Sequence, residues 1–332
     1  MLNGKITGIG FYVPDNVVTN DDLAKVIDTS DEWIRERSGI EERRYFVPGK
    51  DTVSSMAGAA SKMALERAQV EADEIDAIIL ATITPNYYLP GSAVLLQREL
   101  GLCNKAIPAF DIRQSCSGFI YALAMANDFI KAGSYKKVLV TGSEIQSGFL
   151  EMTDEHRNTA VLFADGAGAV VVEANDEKDK GILSTHLYSD GSFAEDLMVE
   201  YPRSHNRKAD FNSGEMGLNM EGRLVFKHAI QKFPAVIMEC LESNGYNKED
   251  LDLLIPHQAN LRIAEAVRKN LEIPVDKVHN NIMKYGNTTA ASIPIALNEA
   301  WELGKVKEND LVCLAAFGAG FTWGSCLLRW SF

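Results

Sequence analysis

Cys116 stands at a point in the sequence where a thiol could act as a nucleophile. The stretch 110–133, FDIRQSCSGFIYALAMANDFIKAG, predicts a short strand, a tight turn and a buried helix, with Cys116 at or next to the helix start. Unpaired backbone N–H groups and the helix dipole favour an anion at that end, and therefore a thiolate over a thiol. A free cysteine can equally be a small buried apolar residue. This stretch alone leaves both interpretations open.

His257 and Asn287 are the candidate partners of this thiol, because each follows a predicted strand in the second half of the chain. The two halves repeat: EDLDLLIPHQAN resembles the earlier DEIDAIILATIT, and the turn and helix at Asn287 resemble those at Cys116. Because α/β sheets bind ligands at the carboxyl ends of their strands, the three residues can converge. A single histidine is more often structural, and the other histidines lack this position.

A Cys-His-Asn site suits acyl transfer between thioesters. A thiolate accepts an acyl group from a thioester and leaves readily in reverse. Histidine and asparagine directed at one point could stabilise an oxyanion, including the enolate formed when a malonyl thioester loses CO₂. The backbone of Cys116 and the turn Gly318-Ala319-Gly320 could supply a second oxyanion hole. A Cys-His-Asn hydrolase, with histidine as general base, uses the same residue types and stays open here.

The elements that must position these residues alternate between strand and helix, which predicts an α/β protein with a mainly parallel sheet. Residues 158–173 predict two strands paired around a turn at Asp165–Gly168, and residues 278–305 predict a strand, a turn and a helix. The repeat predicts two similar halves, 1–175 with the nucleophile and 176–332 with the histidine and the asparagine.

The composition excludes several classes of protein. The 332 residues carry a formal net charge of -13, which makes general nucleic-acid binding a poor candidate. Five scattered cysteines without a CxxC pair argue against a disulfide framework and a zinc site, and we expect no bound metal. No signal peptide and no bilayer-spanning apolar run are visible, so we expect a cytoplasmic protein without membrane insertion.

Two further stretches stand out. TSDEWIRERSGIEERR, at 29–44, interleaves arginine and glutamate around Trp33, which favours a solvated, ion-paired surface. The alternative is a phosphate or nucleotide contact with a stacking tryptophan. Residues 189–219 are polar and Gly-rich without a clear period, and a loop of that length is usually functional or mobile.

Several of these segments together resemble the β-ketoacyl-acyl carrier protein synthase III family. The resemblance rests on SCSGFIYAL, IPHQANLRI, YGNTTAASIPIAL, TSDEWIRERSGI, LFADGAGAVV and AFGAGFTWGS, and it covers essentially the whole chain in the family's order. It implies a thiolase-like α/β fold, in which two pseudo-symmetric βαβαβαββ halves form a five-layer α-β-α-β-α body. It also implies a homodimer.

The resemblance implies a decarboxylating Claisen condensation of an acyl-CoA primer with malonyl-acyl carrier protein, through acyl-Cys116. This reaction initiates fatty acid synthesis and needs no cofactor, since coenzyme A enters as a substrate thioester. The alternative is a specialised homologue that condenses a different acyl donor or acceptor in secondary metabolism. The intact triad argues against a non-catalytic partner of the carrier protein. A chalcone-synthase-like enzyme would typically have GFGPG in place of FGAGFTWG.

The family assigns roles by position. The catalytic residues are Cys116, His257 and Asn287, and the oxyanion hole uses the amides of Cys116 and Ala319. Coenzyme A is bound by Trp33, Arg37, Arg157, Gly222, Phe226, Asn260 and Arg262. The acyl pocket is formed by Leu89, Phe163 and Met220. A basic patch for the acidic carrier protein consists of Lys227, Arg262 and Lys269.

Three features depart from the family pattern. Ala319 stands where the family commonly has glycine, although a backbone donor survives that change. Leu89, contributed to the pocket by the other protomer, stands where the family often has phenylalanine, so the pocket could admit a longer or branched primer. The 193–219 loop is several residues longer than in the housekeeping enzymes of the family. It could alter access to the tunnel that holds the pantetheine arm of coenzyme A.

Overall fold

The computed structural model describes residues 2–177, 179–200 and 217–332. Its strands are β1 (Asn3–Tyr12), β2 (Asn16–Thr19), β3 (Glu42–Tyr45), β4 (Ala77–Ala81), β5 (Ala109–Ile112), β6 (Lys137–Glu144), β7 (Gly166–Asn175), β8 (Gly181–Ser189), β9 (Leu197–Val199), β10 (Leu218–Met220), β11 (Leu253–Pro256), β12 (Leu311–Gly318) and β13 (Thr322–Arg329). Its α-helices are α1 (Asn20–Leu23), α2 (Asp31–Ser38), α3 (Val53–Ala68), α4 (Ser92–Glu99), α5 (Gly118–Lys131), α6 (Arg157–Ala160), α7 (Gly222–Glu242), α8 (Leu261–Leu271), α9 (Ile282–Tyr285) and α10 (Ser292–Glu302).

The longer strands form two mixed sheets. The first has the order β1-β7-β6-β4-β5, with β4 parallel to β5 and β6, and with β7 antiparallel to β1 and β6. The second has the order β11-β12-β13-β8, in which β11 and β12 are parallel and the other pairs antiparallel. The predicted mainly parallel sheet is therefore wrong. Strands that are buried on both faces are continuous apolar runs, and such runs do not reveal the direction of their neighbours.

Two helices lie between the sheets. The apolar side chains of α5 and α10, among them Phe119 and Leu297, form a shared core with the inner faces of both sheets. Helices α3 and α4 cover the outer face of the first sheet, and α7, with α8 beside it, covers the outer face of the second. The body therefore has five layers, α-β-α-β-α. The division of the chain at 1–175 and 176–332 stays a prediction.

Residues 158–173 fold differently from the predicted pair of strands. The first part belongs to the short helix α6, and Gly166–Asn175 form one strand, β7. Gly168, one of the glycines that predicted a turn, lies at a close contact between a strand and a helix. A Cβ on Gly168 would lie 2.7 Å from the Cβ of Pro294. Gly168 thus allows α10 to pack closely on β7.

The turns that precede α5 and α10 correspond in structure. Each is a 3₁₀ turn whose first residue has a left-handed backbone, with φ of 48° at Ser115 and 52° at Thr289. Cys116 therefore corresponds to Ala290, and not to Asn287 as the sequence repeat predicted. Apolar strands and polar turns fix the alignment of the two halves only to within a few residues.

Asn287 does not follow a strand, contrary to the prediction. Near 278 a single bridge, between Val278 and Leu254, takes the place of the expected strand. The chain then enters helix α9, and Asn287 comes two residues after the end of that helix.

No helix in the described part of the chain is long and apolar enough to cross a membrane. Within the same residues, no three or more His, Cys, Asp or Glu side chains are grouped to hold a metal ion. The five cysteines are free.

Candidate active site

A cavity of about 1050 Å³ lies where α5 begins and where β11 and β12 end. Cys116, His257 and Asn287 all line it. Its walls also include other predicted site residues: Ala319, Phe163, Met220, Gly222, Phe226 and Asn260. Seven predicted residues lie off its walls: Trp33, Arg37, Arg157, Leu89, Arg262, Lys227 and Lys269.

Cys116 lies in the 3₁₀ turn Ser115–Ser117, immediately before α5. Its side chain is 7% exposed. The backbone of Gly318, at the end of β12, approaches it so closely that a Cβ on Gly318 would lie 2.6 Å from the Cβ of Cys116. A glycine is therefore required at 318 for the turn of Cys116 to pack against β12.

The burial of Cys116 opposes the ionisation that its position before a helix favours. Burial raises the pKa of the Cys116 thiol to about 12, while a hydrogen bond from the Ser115 hydroxyl opposes that rise. The sequence predicted that the helix start would favour the thiolate. The helix begins only at Gly118, and in the buried site the desolvation of the sulfur favours the neutral thiol.

His257 follows β11, and its N–H donates to the carbonyl of Ala315 at 2.8 Å. The ring Nδ1 lies 2.6 Å from the Oγ of Ser292, and Nε2 is buried without a hydrogen-bond partner in the described part of the chain. Burial lowers the pKa of His257 to about 3, so the imidazole is neutral. The N–H of Gln258 donates to the Ser292 Oγ at 3.3 Å. In the tautomer that carries its proton on Nε2, the ring accepts the Ser292 hydroxyl proton at Nδ1.

Asn287 is held by its backbone and by its side chain. Its N–H donates to the carbonyl of Leu162, and its carbonyl accepts from the N–H of Ala164, both at 2.9 Å. The side-chain Oδ1 accepts the N–H of Thr289 at 2.9 Å. Since that bond occupies the amide oxygen, the amide NH₂ group remains as the donor that Asn287 can offer to the cavity.

Ala319 lies in the turn between β12 and β13. Its carbonyl accepts a hydrogen bond from the Thr322 hydroxyl at 2.9 Å, and that hydroxyl lies 2.8 Å from the hydroxyl of Ser117. These bonds join the turn to Ser117, the residue that follows Cys116. They therefore restrain the backbone N–H groups of Cys116 and Ala319 relative to each other.

Trp33 forms a cluster with two arginines on the surface. The guanidinium carbons of Arg37 and Arg157 lie 4.4 Å and 4.7 Å from the centroid of its ring. Arg157 is also held by the carbonyl of Asp28, at 2.8 Å. The cluster thus combines cation–π contacts with ion pairs. Arg37 lies 3.4 Å from the Glu36 carboxylate and Arg157 lies 3.5 Å from that of Asp28, so the predicted ion-paired surface is also present here.

Asn260 connects this cluster to the cavity. Its Nδ2 donates to the carbonyl of Arg37, and its Oδ1 accepts the N–H of Arg262, both at 2.9 Å. The second bond caps the start of α8. Because Asn260 also lines the cavity, the Trp33 cluster adjoins the cavity mouth.

The remaining predicted residues lie on the surface. Lys227 on α7 and Arg262 and Lys269 on α8 are exposed, and these two helices pack side by side. Leu89 is 83% exposed and does not line the cavity itself, although the preceding residue, Tyr88, does.

Most of the 193–219 loop, residues 201–216, lies outside the described residues. Its two ends are more ordered than predicted, because β9 pairs with β10 in an antiparallel ladder. Phe193 stacks on Phe321, with ring centroids 5.0 Å apart, and so anchors the first end beside the turn that holds Ala319.

Two residues behind the cavity wall were not predicted from the sequence. Ser292, described above, is one. Glu144 is fully buried at the end of β6 and accepts from the Thr84 and Thr82 hydroxyls at 2.7 Å and 3.2 Å. Burial raises the pKa of Glu144 to about 7. A glutamate at the end of an otherwise apolar strand was the available signal for this residue, and nothing singled out Ser292.

The comparisons with known proteins agree with one another. Two protein-family models match the sequence. The model of the 3-oxoacyl-[acyl-carrier-protein] synthase III family matches residues 110–191, and the model of the C-terminal part of the same family matches residues 241–330. A β-ketoacyl-[acyl-carrier-protein] synthase III from Xanthomonas campestris pv. campestris is 48% identical over 332 residues, covering 99% of each chain. One from Halalkalibacterium halodurans is 49% identical over 330 residues, again covering 99% of each. The crystal structure of 3-oxoacyl-[acyl-carrier-protein] synthase III from Aquifex aeolicus matches with a TM-score of 0.90 at 48% identity, over 98% of this chain and 100% of that one.

Proposed function

This chain belongs to the β-ketoacyl-acyl carrier protein synthase III family, and on that premise we propose that it condenses an acyl-CoA primer with malonyl-acyl carrier protein. The products are 3-oxoacyl-acyl carrier protein, CoA and CO₂, and the reaction initiates fatty acid synthesis. The observation that carries the proposal is the placement of Cys116, His257 and Asn287 on one cavity. Thioester chemistry of this kind needs no cofactor.

In the first half-reaction Cys116 takes the acyl group. The thiolate attacks the thioester carbon, a tetrahedral oxyanion forms, and CoA leaves as its thiol after taking up a proton. The N–H groups of Cys116 and Ala319 stabilise the oxyanion. The hydrogen bonds from Ala319 through Thr322 to Ser117 support this role, because they hold the two amides in place before the substrate arrives.

In the second half-reaction His257 and Asn287 stabilise the enolate that forms when the malonyl group loses CO₂. Both offer a neutral donor, Nε2–H of the imidazole and the amide NH₂, as their other polar atoms are already bonded. A neutral donor pair stabilises the enolate without protonating its carbon at once. The enolate carbon then attacks the acyl group on Cys116, and the thiolate leaves.

The adenine of coenzyme A binds at the Trp33 cluster, and its pantetheine arm enters past Asn260 between α7 and α8. A planar base fits between the indole and a guanidinium, once the Arg157 side chain moves away from the ring. Gly222 and Phe226 on α7 line the passage. Arg262, whose N–H is bonded to the Asn260 side chain, lies at its entrance. Phe163 and Met220 bound the acyl pocket.

The carrier protein docks on the exposed faces of α7 and α8. Lys227, Arg262 and Lys269 present positive charge there, and none of them has an ion pair with another described residue. A local basic patch on a chain of net charge -13 attracts an acidic partner to one place on the surface.

The chain forms a homodimer through the outer edge of the first sheet. Its edge strand β5 is half-buried, and the nearby loop exposes Tyr87 and Leu89 by 58% and 83%. An uncovered strand edge beside apolar side chains is a ready surface for a second copy. The partner then covers Leu89, and the Leu89 side chain closes the acyl pocket of that partner.

We propose a cytoplasmic location, because the free cysteines suit a reducing compartment.

Intact-mass spectrometry tests the nucleophile. After incubation with acetyl-CoA, the wild-type protein should gain one acetyl group, and Cys116→Ala should gain none. A second reaction with malonyl-acyl carrier protein should then release CO₂ and form the 3-oxoacyl product. An adduct of equal yield on Cys116→Ala would overturn the assignment.

A specialised homologue that uses another acyl donor or acceptor is the second candidate, and Leu89 is the observation that favours it. A side chain smaller than phenylalanine leaves room for a longer or branched primer. Turnover measured with a panel of acyl-CoAs decides between the two candidates. Negligible turnover with every short primer would exclude the initiation of fatty acid synthesis and support the specialised reaction.

A further inference from the structure

Arg113 is the sole arginine or lysine among the described residues that line the active-site cavity. The same described residues include one carboxylate, Asp51, which is buried and accepts from the Tyr12 hydroxyl and the Val47 N–H, both at 2.8 Å. The fold therefore already uses that carboxylate, and Arg113 brings an uncompensated positive charge to the cavity.

Arg113 follows β5 and precedes Cys116 by three residues. The carboxylate of Asp111, on the same strand, accepts the N–H groups of Ser92 and Ala93 at 2.7 Å and 2.6 Å, which fixes the preceding loop beside β5. That loop contributes Tyr87 to the cavity wall. Arg113 thus belongs to a wall built by β5 and this loop, whereas the proposed pantetheine passage is built by α7 and α8.

The guanidinium of Arg113 is free to bind a ligand. It is exposed, and it forms no hydrogen bond, ion pair or ring contact with the described residues. Arg37 and Arg157, in contrast, both stack on Trp33. A guanidinium keeps its charge at all physiological pH values, and its planar fork matches a carboxylate in a bidentate pair.

We infer that Arg113 lets the acyl site accept primers with a carboxylate at the far end of the chain, the CoA monothioesters of α,ω-dicarboxylic acids. The inference rests on the proposed function, since the primer must acylate Cys116. A carboxylate in an apolar pocket is costly without a partner, and Arg113 supplies that partner.

The chemistry of acylation is unchanged by the far carboxylate. The bond from the Cys116 sulfur to the thioester carbon forms, the bond from that carbon to the CoA sulfur breaks, and CoA leaves as a thiol with the proton that Cys116 gives up. The distal carboxylate stays ionised and pairs with Arg113. It sets which primer is held, and it takes no part in bond making.

Competition between primers of matched chain length tests the inference on the full-length protein. Hexanoyl-CoA and adipyl-CoA, at equal concentration, are allowed to acylate Cys116 for a short time, and intact mass gives the ratio of the two adducts. In Arg113→Gln the adipyl to hexanoyl ratio should fall about tenfold or more, as a charge-assisted pair is lost. Arg113→Lys, which keeps the charge but lacks the fork, should fall in between.

Arg98→Gln is the matched control. Arg98 is exposed on α4 and lies off the cavity wall, so its removal changes the net charge equally and should leave the ratio as in wild type. An unchanged ratio in Arg113→Gln would overturn the inference, as would acylation by hexanoyl-CoA with none by adipyl-CoA or by the shorter succinyl-CoA. The proposed function would survive both results. If no acyl-CoA of either kind acylates Cys116, the proposed function fails as well.

Discussion

The ring Nδ1 of His257 lies 2.6 Å from the hydroxyl of Ser292, the first residue of α10. Through this contact a helix of the central layer orients a side chain that follows β11 of the second sheet. The hydroxyl also accepts the N–H of Gln258, and it can donate its own proton to Nδ1 when the ring proton is on Nε2. We expect Ser292 in this way to favour Nε2 as the nitrogen that donates to the substrate.

Ser292→Ala should slow decarboxylation more than acylation. Without the hydroxyl the imidazole can rotate or change tautomer, and the loss of one hydrogen bond corresponds to a decrease of about tenfold in the rate. The measurements are CO₂ release from malonyl-acyl carrier protein and acetylation of Cys116 by intact mass. Ser292→Thr keeps a hydroxyl and should recover most of the rate. An equal loss in both half-reactions would contradict this role.

Asn287→Ala should still acylate Cys116 but should decarboxylate poorly, by about 100-fold or more, since the amide stabilises the enolate and not the thiolate. Asn287→Asp separates the two ends of the side chain. It keeps an oxygen for the N–H of Thr289 but removes the NH₂ donor, so it should be as deficient as Asn287→Ala. Near-normal decarboxylation in Asn287→Asp would show that Asn287 acts by supporting the backbone alone.

The family and its thiolase-like fold could be predicted from the sequence because the motifs around Cys116, His257 and Asn287 are local and specific, and the family matches confirm that prediction. The strand boundaries and the packing of helices on strands could be predicted less well. Gly168 predicted a turn but lies within β7, since a glycine that permits close helix packing and a glycine that permits a turn are identical in sequence.

The convergence of Cys116, His257 and Asn287 on one site could be predicted from the sequence, but individual contacts between distant segments could not. Ser292 meets His257 only because α10 packs against the end of β11, and no local pattern encodes that meeting. The burial of Cys116 has the same origin. Its position before a helix is visible in the sequence, whereas the burial that raises its pKa depends on Gly318 and on other segments folded around it.

The alkylation of Cys116 should depend steeply on pH. Burial raises the pKa of the thiol to about 12, so the neutral form dominates at neutral pH and the reactive thiolate is a small fraction. The rate of inactivation by iodoacetamide should therefore rise about tenfold per pH unit from about pH 7 to about pH 10. A cysteine in an unstructured peptide, the reference, should level off near its usual pKa of about 8.5.

A rate for Cys116 that levels off near neutral pH would contradict this prediction. It would mean that the start of α5 stabilises the thiolate by more than burial destabilises it, as the sequence had indicated. The alkylated residue is identified by peptide mass, because Cys103 is also exposed to the reagent.

Gly318→Ala should slow acylation by about 100-fold while leaving the fold largely intact. The added Cβ would lie 2.6 Å from the Cβ of Cys116 and 3.1 Å from its backbone nitrogen, so the nucleophile or the adjacent oxyanion turn has to move. Overpacking of this kind costs about 1–3 kcal/mol in stability, but a shift of the reacting groups by about 1 Å can cost about 100-fold in rate. Gly191→Ala is the control, because a Cβ there meets nothing within 4 Å. Thermal unfolding and acetylation by intact mass measure the two effects, and a Gly318→Ala protein that acetylates at the wild-type rate would show that the contact between β12 and Cys116 does not position the nucleophile.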